Sequence, residues 1–239
     1  MDLFIAKAPY WITRFGEMGI ILPLAAALTL WMLASARAIR PVLLWLVPLG
    51  VAVGITALSK IAFIGWGLGI AAVDFTGFSG HAMFSSAIYP VLGYTLAAQW
   101  SRKPKARFFA MLAGYALALV IGWSRVHIQV HSVSEVVAGL ALGACASGWT
   151  LWRMSHNLAA PNPHPHRWVL LGLVGWLAVM PVHAAPSKSH DIVTRLALSL
   201  AAHEKAFRRA DLHGVPDAPA AGLATPTTET NAARAGLIR

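Results

Sequence analysis

Two short polar stretches stand out in a chain that is otherwise rich in apolar residues. The first is FSGH at residues 78–81, and the second is SRVHIQVHSVSE at residues 124–135. Ionisable side chains at membrane depth are costly and are usually kept for function. Histidines beside cations and a carboxylate suit the binding of an anion, and phosphate is the obvious anion beside a membrane. Both stretches are therefore candidates for one phosphate-handling site.

The composition identifies the chain as a polytopic membrane protein. Of its 239 residues, 57% are hydrophobic and 12% are charged, whereas soluble domains carry about 25% charged residues. Its single cysteine excludes a disulfide within the chain. A spanning helix needs about 20 apolar residues. We predict an all-α fold with six transmembrane helices, at residues 16–36, 41–59, 80–100, 107–123, 133–152 and 168–184.

The rest of the chain divides around this membrane domain. We predict an N-terminal arm at 1–15, the membrane domain at 16–184, an amphipathic tail helix at 185–213 and a disordered tail at 214–239. In the tail helix, apolar residues recur at roughly helical spacing. The last segment is rich in Ala, Pro and Thr, which is typical of disorder.

The loop charges predict that both polar stretches lie on the same side of the membrane. Basic residues cluster in the loops at 37–40, 101–107 and 153–167, which the positive-inside rule assigns to the cytoplasm. The loops at 60–79 and 124–132 then lie on the opposite side. The formal net charge of +10 is explained by topology and anionic headgroups, not by nucleic acid.

The motifs resemble those of the type 2 phosphatidic acid phosphatase (PAP2) superfamily of membrane lipid phosphatases, namely K-x6-RP, PSGH and SR-x5-H-x3-D. FSGH matches the second motif except for its proline, and SRVHIQVHSVSE matches the third with Glu135 in place of the usual aspartate. The first motif is half present. Lys60 opens it, but Gly67 stands at the arginine position and Leu68 at the proline position. The resemblance covers about residues 40–152 and implies a PAP2-like helical bundle.

The resemblance implies hydrolysis of a lipid phosphomonoester or diphosphate through a phosphohistidine. In that mechanism His131 attacks phosphorus, Glu135 orients and stabilises its ring, and His81 protonates the leaving alkoxide. The phosphate oxygens would be bound by the other motif residues, Lys60, Ser79, Gly80, Ser124 and Arg125. No metal or other cofactor is needed. The implied partners are the lipid phosphate substrate and membrane lipids.

Two alternatives stay open at this point. The damaged first motif allows a non-catalytic protein of the same fold that binds or transports lipid phosphate. The four-residue spacing of His127, His131 and Glu135 would place all three on one helix face, as in a metal-dependent hydrolase.

The missing arginine gives a specific expectation. We predict either that Gly67→Arg raises turnover on a short soluble lipid phosphate, or that the wild type strongly prefers a bulky headgroup.

The small size of the chain and the absence of a eukaryotic-style targeting signal favour a bacterial inner membrane, with the site facing the periplasm. The motifs leave several lipid phosphates open as substrates, including phosphatidylglycerol phosphate, phosphatidate, undecaprenyl diphosphate and lipid A phosphates.

Overall fold

The structure is a computed structural model that describes residues 2–36, 39–101, 103–157, 167–183, 189–202 and 205–214. Within these ranges the regular elements are helices, without a named strand. One 3-10 turn covers residues 71–73, and a single antiparallel bridge joins Ile70 to Phe75. The all-α fold class is confirmed.

Each predicted span coincides with a helix of the structure. The helices are α1 Asp2–Arg14, α2 Met18–Ala36, α3 Arg40–Trp66, α4 Gly80–Trp100, α5 Pro104–His127, α6 Val133–Asn157, α7 Arg167–His183, α8 Ser189–Ala201 and α9 Arg209–Leu212. The six predicted spans fall on α2 to α7, with the same ends for α4 and shifted ends for the others. Residues 184–188, at the predicted boundary between the membrane domain and the tail helix, lie outside the described residues, as does most of the predicted disordered tail, at 215–239.

The described part of the chain contains four segments long and apolar enough to cross a membrane, so the predicted count of six is not confirmed. These segments are Ala8–Ala34, Arg40–Trp66, Pro104–His127 and Val133–His156. α7 has only 17 residues. α4 is long enough but carries buried polar side chains, because it packs between α5 and α6 and faces protein. The apolar helices nonetheless indicate an integral membrane protein.

Close packing of α4 on α6 brings the two polar stretches together. A Cβ at Gly139 would lie 2.6 Å from the carbonyl oxygen of Ser79, and one at Gly143 would collide with the main chain of α4. Such small residues let helices approach closely. The buried hydroxyl of Ser86 donates to the carbonyl of Leu140 at 2.9 Å. The start of α4 is thereby fixed against the start of α6.

The C-terminal segment, residues 189–202 and 205–214, folds back onto the end of α3. On α8, Ala197 is fully buried in a small apolar cluster with Ile61, Phe63 and Ile64. The main-chain N–H of Phe207 donates to the carbonyl of Ile64 at 3.0 Å. The tail thus forms α8 and the short α9 instead of the one helix predicted for 185–213, and α8 packs on the membrane domain.

Candidate active site

His131 and Glu135 form a hydrogen-bonded pair between α5 and α6. α5 ends at His127, and Gln129 has a φ of 57°, which turns the chain before α6 begins. His131 lies in this turn, with its Nδ1 2.6 Å from Oε2 of Glu135. Since Nδ1–H donates to the carboxylate, Nε2 is the nitrogen left for a reaction.

Glu135 is fully buried and held by several donors. The main-chain N–H of Thr76 donates to Oε1 at 2.8 Å, and the Thr76 hydroxyl bonds to the same oxygen. The N–H of Ser132 lies 3.2 Å from Oε2. The Glu135 carbonyl accepts the N–H of Ser79 at 3.1 Å. Buried carboxylates require such pairing, and here the bonds also tie the loop before α4 to α6.

The surroundings of His131 favour its neutral form. Burial of the ring lowers the pKa of His131 below its ordinary value, and the charges of Lys60 and Arg125 act in the same direction. The hydrogen bond to Glu135 opposes them without reversing the shift. The imidazole is therefore neutral and nucleophilic at neutral pH.

The start of α4 presents a helix N-terminus beside a cation. Ser79 is the N-cap residue and is fully buried, and its hydroxyl has no hydrogen-bond partner among the described residues. A Cβ at Gly80 would lie 3.9 Å from Nζ of Lys60. Main-chain donors at a helix start, next to an ammonium group, suit a phosphate group. The structure thus brings Lys60, Ser79 and Gly80 together, and their role in binding phosphate stays a prediction.

Arg125 and His81 complete the predicted group, and the N-terminal segment holds both. Nη1 of Arg125 donates to the Thr13 hydroxyl at 2.9 Å. Nε2 of His81 lies 3.5 Å from Oε1 of Glu17. In the described structure the buried Nε of Arg125 and Nε2 of His81 have no hydrogen-bond partner. Sequence reasoning missed Thr13 and Glu17 because the predicted arm and first span gave no motif.

Two predicted residues are placed differently from the others. Ser124 is buried, but its hydroxyl donates to the Ile121 carbonyl at 2.6 Å within α5. A role in phosphate binding would have to use its other groups and stays a prediction. His127 is exposed and its ring lies 5.0 Å from that of Trp123. The single helix face required by the metal-site alternative is absent, because α5 ends at His127.

Gly67 occupies a backbone conformation that suits glycine. It is the C-cap of α3, with a φ of 68°. A Cβ there would lie 2.9 Å from the ring of Phe207. Arginine at this position would strain the backbone and displace the C-terminal segment at Phe207. The structure therefore argues against the predicted rise in turnover for Gly67→Arg.

Arg209 is a site residue that the sequence did not reveal. It lies near the start of α9, and its Nη2 is 2.8 and 2.9 Å from the two carboxylate oxygens of Glu135. Nη1 bonds to the Asp74 carboxylate and to its carbonyl, the latter at 2.9 Å. Arg209 lies 74 residues beyond Glu135, in a basic tail without a motif, so sequence spacing gave no signal for it.

The family model of the PAP2 superfamily matches residues 71–159, a segment that contains both FSGH and the His131–Glu135 pair. The chain belongs to the PAP2 superfamily. Lys60, from the half-present first motif, lies outside the matched segment of this PAP2 protein.

Two bacterial relatives are similar to this PAP2 protein. An uncharacterized 22.5 kDa protein in the cps region of Klebsiella pneumoniae is 36% identical over 206 residues, which cover 84% of this chain and 96% of that protein. Phosphatidylglycerophosphatase B of Bacillus subtilis (strain 168) is 34% identical over 65 residues, or 27% of this chain and 32% of the relative. No solved structure matches the chain significantly.

Proposed function

We propose that this PAP2 protein is a membrane lipid phosphatase that cleaves a phosphomonoester or diphosphate with His131 as its nucleophile. The observation that carries the proposal is the 2.6 Å contact between Nδ1 of His131 and the buried Glu135 carboxylate. It directs Nε2 away from the carboxylate and fixes the ring tautomer. Family membership supports phosphatase activity in general.

In the proposed first step, Nε2 of His131 attacks phosphorus, forming an N–P bond and breaking the P–O bond to the leaving group, which is the lipid alkoxide of a monoester or the lipid phosphate of a diphosphate. The ring becomes positively charged, and the Glu135 carboxylate stabilises that charge. In the second step, water attacks the phosphohistidine, releases inorganic phosphate and restores the neutral ring.

His81 is the proposed general acid for the first step. Its buried Nε2 lies 3.5 Å from the Glu17 carboxylate. Burial disfavours the protonated ring and the Glu17 contact opposes that effect, so the proposed step uses the fraction of His81 that carries the proton and donates it to the leaving group. After the phosphohistidine has formed, the neutral ring can accept a proton from the attacking water.

The remaining polar groups are proposed to stabilise the phosphate oxygens. Lys60 and Arg125 supply positive charge, and the Ser79 hydroxyl and the Gly80 N–H supply neutral donors. The hydroxyl of Ser79 and the Nε of Arg125 have no other partner within the described residues. Positioned donors and cations of this kind provide most of the catalysis in phosphoryl transfer.

The relatives suggest where to begin with substrates. Phosphatidylglycerophosphatase B is similar over a part of the chain, so phosphatidylglycerol phosphate is the first lipid to test.

We place the protein in a bacterial inner membrane with the site facing the periplasm. His81 lies at the start of α4 and Arg125 near the end of α5, whereas the basic loop that joins these helices lies at their opposite ends. Basic loops face the cytoplasm by the positive-inside rule.

The test is phosphate release by the purified full-length protein in detergent, in the presence of a chelator. The substrate panel is phosphatidylglycerol phosphate, phosphatidate and undecaprenyl diphosphate. His131→Asn is compared with His127→Asn, an exposed histidine four residues earlier that contacts only Trp123 among the ring contacts described. We expect the first variant to lose at least about a thousandfold in rate, as when a nucleophile is removed, and the second to match the wild type.

Two results would contradict the proposal. If His131→Asn kept the wild-type rate, His131 would not be the nucleophile. If the wild type bound labelled lipid phosphate but released phosphate from none of the panel, the non-catalytic alternative would replace the lipid phosphatase.

A further inference from the structure

The C-terminal segment brings a guanidinium group onto the carboxylate that orients His131. Nη2 of Arg209 lies 2.8 Å from Oε1 and 2.9 Å from Oε2 of Glu135. Oε2 is also the oxygen that contacts His131. One carboxylate therefore joins the histidine of the membrane domain to an arginine of the tail.

Arg209 is itself held in place on its other side. Nη1 bonds to the carboxylate and the carbonyl of Asp74, and Nε2 of His213 lies 2.8 Å from Oδ1 of Asp74. Partial burial acts to raise the pKa of Asp74, but the bonds to His213 and Arg209 outweigh it and the pKa lies below the ordinary value. The planar guanidinium is thus fixed between two ionised carboxylates, which an ammonium group could not match in geometry.

The tail docks at the position where the first motif departs from the family pattern. The ring of Phe207 covers Gly67, where the family has arginine, and a Cβ there would come within 2.9 Å of that ring. The N–H of Phe207 bonds to the Ile64 carbonyl, and Leu212 packs on the same apolar cluster. A side chain at residue 67 would therefore press on the segment that carries Arg209.

We infer that Arg209 is a positioning residue for the proposed phosphatase reaction, which adds this one side chain of the C-terminal segment to the active site. Arg209 acts through Glu135: it fixes both carboxylate oxygens and partly neutralises their charge. The inference rests on the proposed function, because Glu135 matters only if the ring of His131 must be oriented.

The electrostatic consequence has a definite sign. The charged groups that face His131 are Glu135, Lys60 and Arg125, and His81 interacts with it across the site. Removing the positive charge of Arg209 leaves the negative charge of Glu135 less compensated, while its bonds to Thr76 and Ser132 keep it ionised. The protonated form of His131 is then stabilised, and its titration moves to higher pH.

The experiment compares Arg209→Gln and Arg209→Lys with Arg208→Gln, which removes the same charge from the exposed neighbouring residue. The measurements are kcat, KM and the pH dependence of kcat/KM on the best lipid of the panel. For Arg209→Gln we expect kcat to fall about 10- to 100-fold with KM little changed. Losses of this size are typical when a residue that orients a reactive side chain through a hydrogen-bonded partner is removed. We expect the acid limb to move up by about half to one pH unit, a modest shift because Arg209 is partly exposed.

The two matched variants separate charge from structure. Arg209→Lys should return the acid limb to the wild-type position while restoring kcat only in part, because the forked geometry is lost. Arg208→Gln should match the wild type in both. An unchanged acid limb and kcat in Arg209→Gln would overturn the inference, as would an equal shift in Arg208→Gln.

A second measurement does not depend on turnover. Diethyl pyrocarbonate modifies the neutral imidazole, so the pH dependence of modification at His131, followed by peptide mass spectrometry, reports its titration directly. The midpoint should rise in Arg209→Gln and not in Arg208→Gln, and an unchanged midpoint would refute the inference. If instead the wild type releases no phosphate but the midpoint shifts, the proposed function fails while the contact between the tail and Glu135 stands.

Discussion

Replacing Gly67 with arginine would restore the arginine of the first PAP2 motif, yet the structure leads us to expect lower activity. Gly67 has a φ of 68° at the C-cap of α3, where its N–H donates to the Phe63 carbonyl at 2.8 Å. Any side chain at this position also meets Phe207. The substitution therefore affects the backbone and the docking of the tail together.

The magnitude can be estimated from these two effects. A left-handed conformation in a residue with a Cβ costs roughly 1–2 kcal/mol. The contact of 2.9 Å with the Phe207 ring adds about 1 kcal/mol, near the lower end for overpacking, because Phe207 lies at the surface and can move. We expect about 2–3 kcal/mol in all for Gly67→Ala, and at least as much for Gly67→Arg.

The assay measures thermal unfolding in detergent and phosphate release for Gly67→Ala and Gly67→Arg, each alone and combined with Phe207→Ala. In the Phe207→Ala background the contact with the ring is gone, so the additional loss caused by Gly67→Ala should fall to the backbone part alone. Turnover should fall in both single variants because Phe207 and Arg209 dock together. A rise in turnover on a short soluble lipid phosphate, without loss of thermal stability, would refute this reasoning and restore the prediction made from the motif.

Three further results are expected. His81→Ala should lose most of its phosphate release on lipids, which have poor leaving groups. The loss should be much smaller on p-nitrophenyl phosphate, because its leaving group needs no proton. Equal losses on both substrates would contradict the role of His81 as general acid. Because burial lowers the pKa of His131, the acid limb of kcat/KM should lie below about pH 6.5, and a limb above that value would argue against His131 as the nucleophile. Turnover should be steady in excess EDTA, since each proposed catalytic group is a protein side chain, and activity lost in EDTA but restored by zinc or manganese would contradict the mechanism.

Most of the helical framework could be predicted from the sequence because long apolar runs have few alternatives in a membrane. α4 was predicted as well, at residues 80–100, but its polar residues reduce its apolar character and it is not among the four segments apolar enough to cross a membrane. Ser85 and Ser86 are buried inside the protein, so their hydroxyl groups do not face the lipid. Hydropathy records the average of a segment and cannot tell whether a polar side chain faces protein or lipid.

The central part of the site was also predictable, because motif spacing fixes local geometry. Glu135 lies in the first turn of α6 and His131 lies two residues before that helix begins, so the four-residue spacing lets their side chains meet. Glu17 and Arg209 were not predictable in this way. Each reaches the site through packing of a terminal segment, and neither lies at a fixed spacing from a motif. The sequence also gave no sign that the ring of Phe207 covers Gly67.

The most direct measurement of the central proposal is to trap the phosphorylated enzyme. The full-length protein is incubated briefly with a lipid phosphate labelled with ³²P, denatured in alkali and digested for peptide mapping. We expect label that is stable in alkali, labile in acid and attached to His131, absent from His131→Asn and present in His127→Asn. Phosphate release by an active enzyme that yields no label on His131 under these conditions, or label on another residue, would contradict the mechanism.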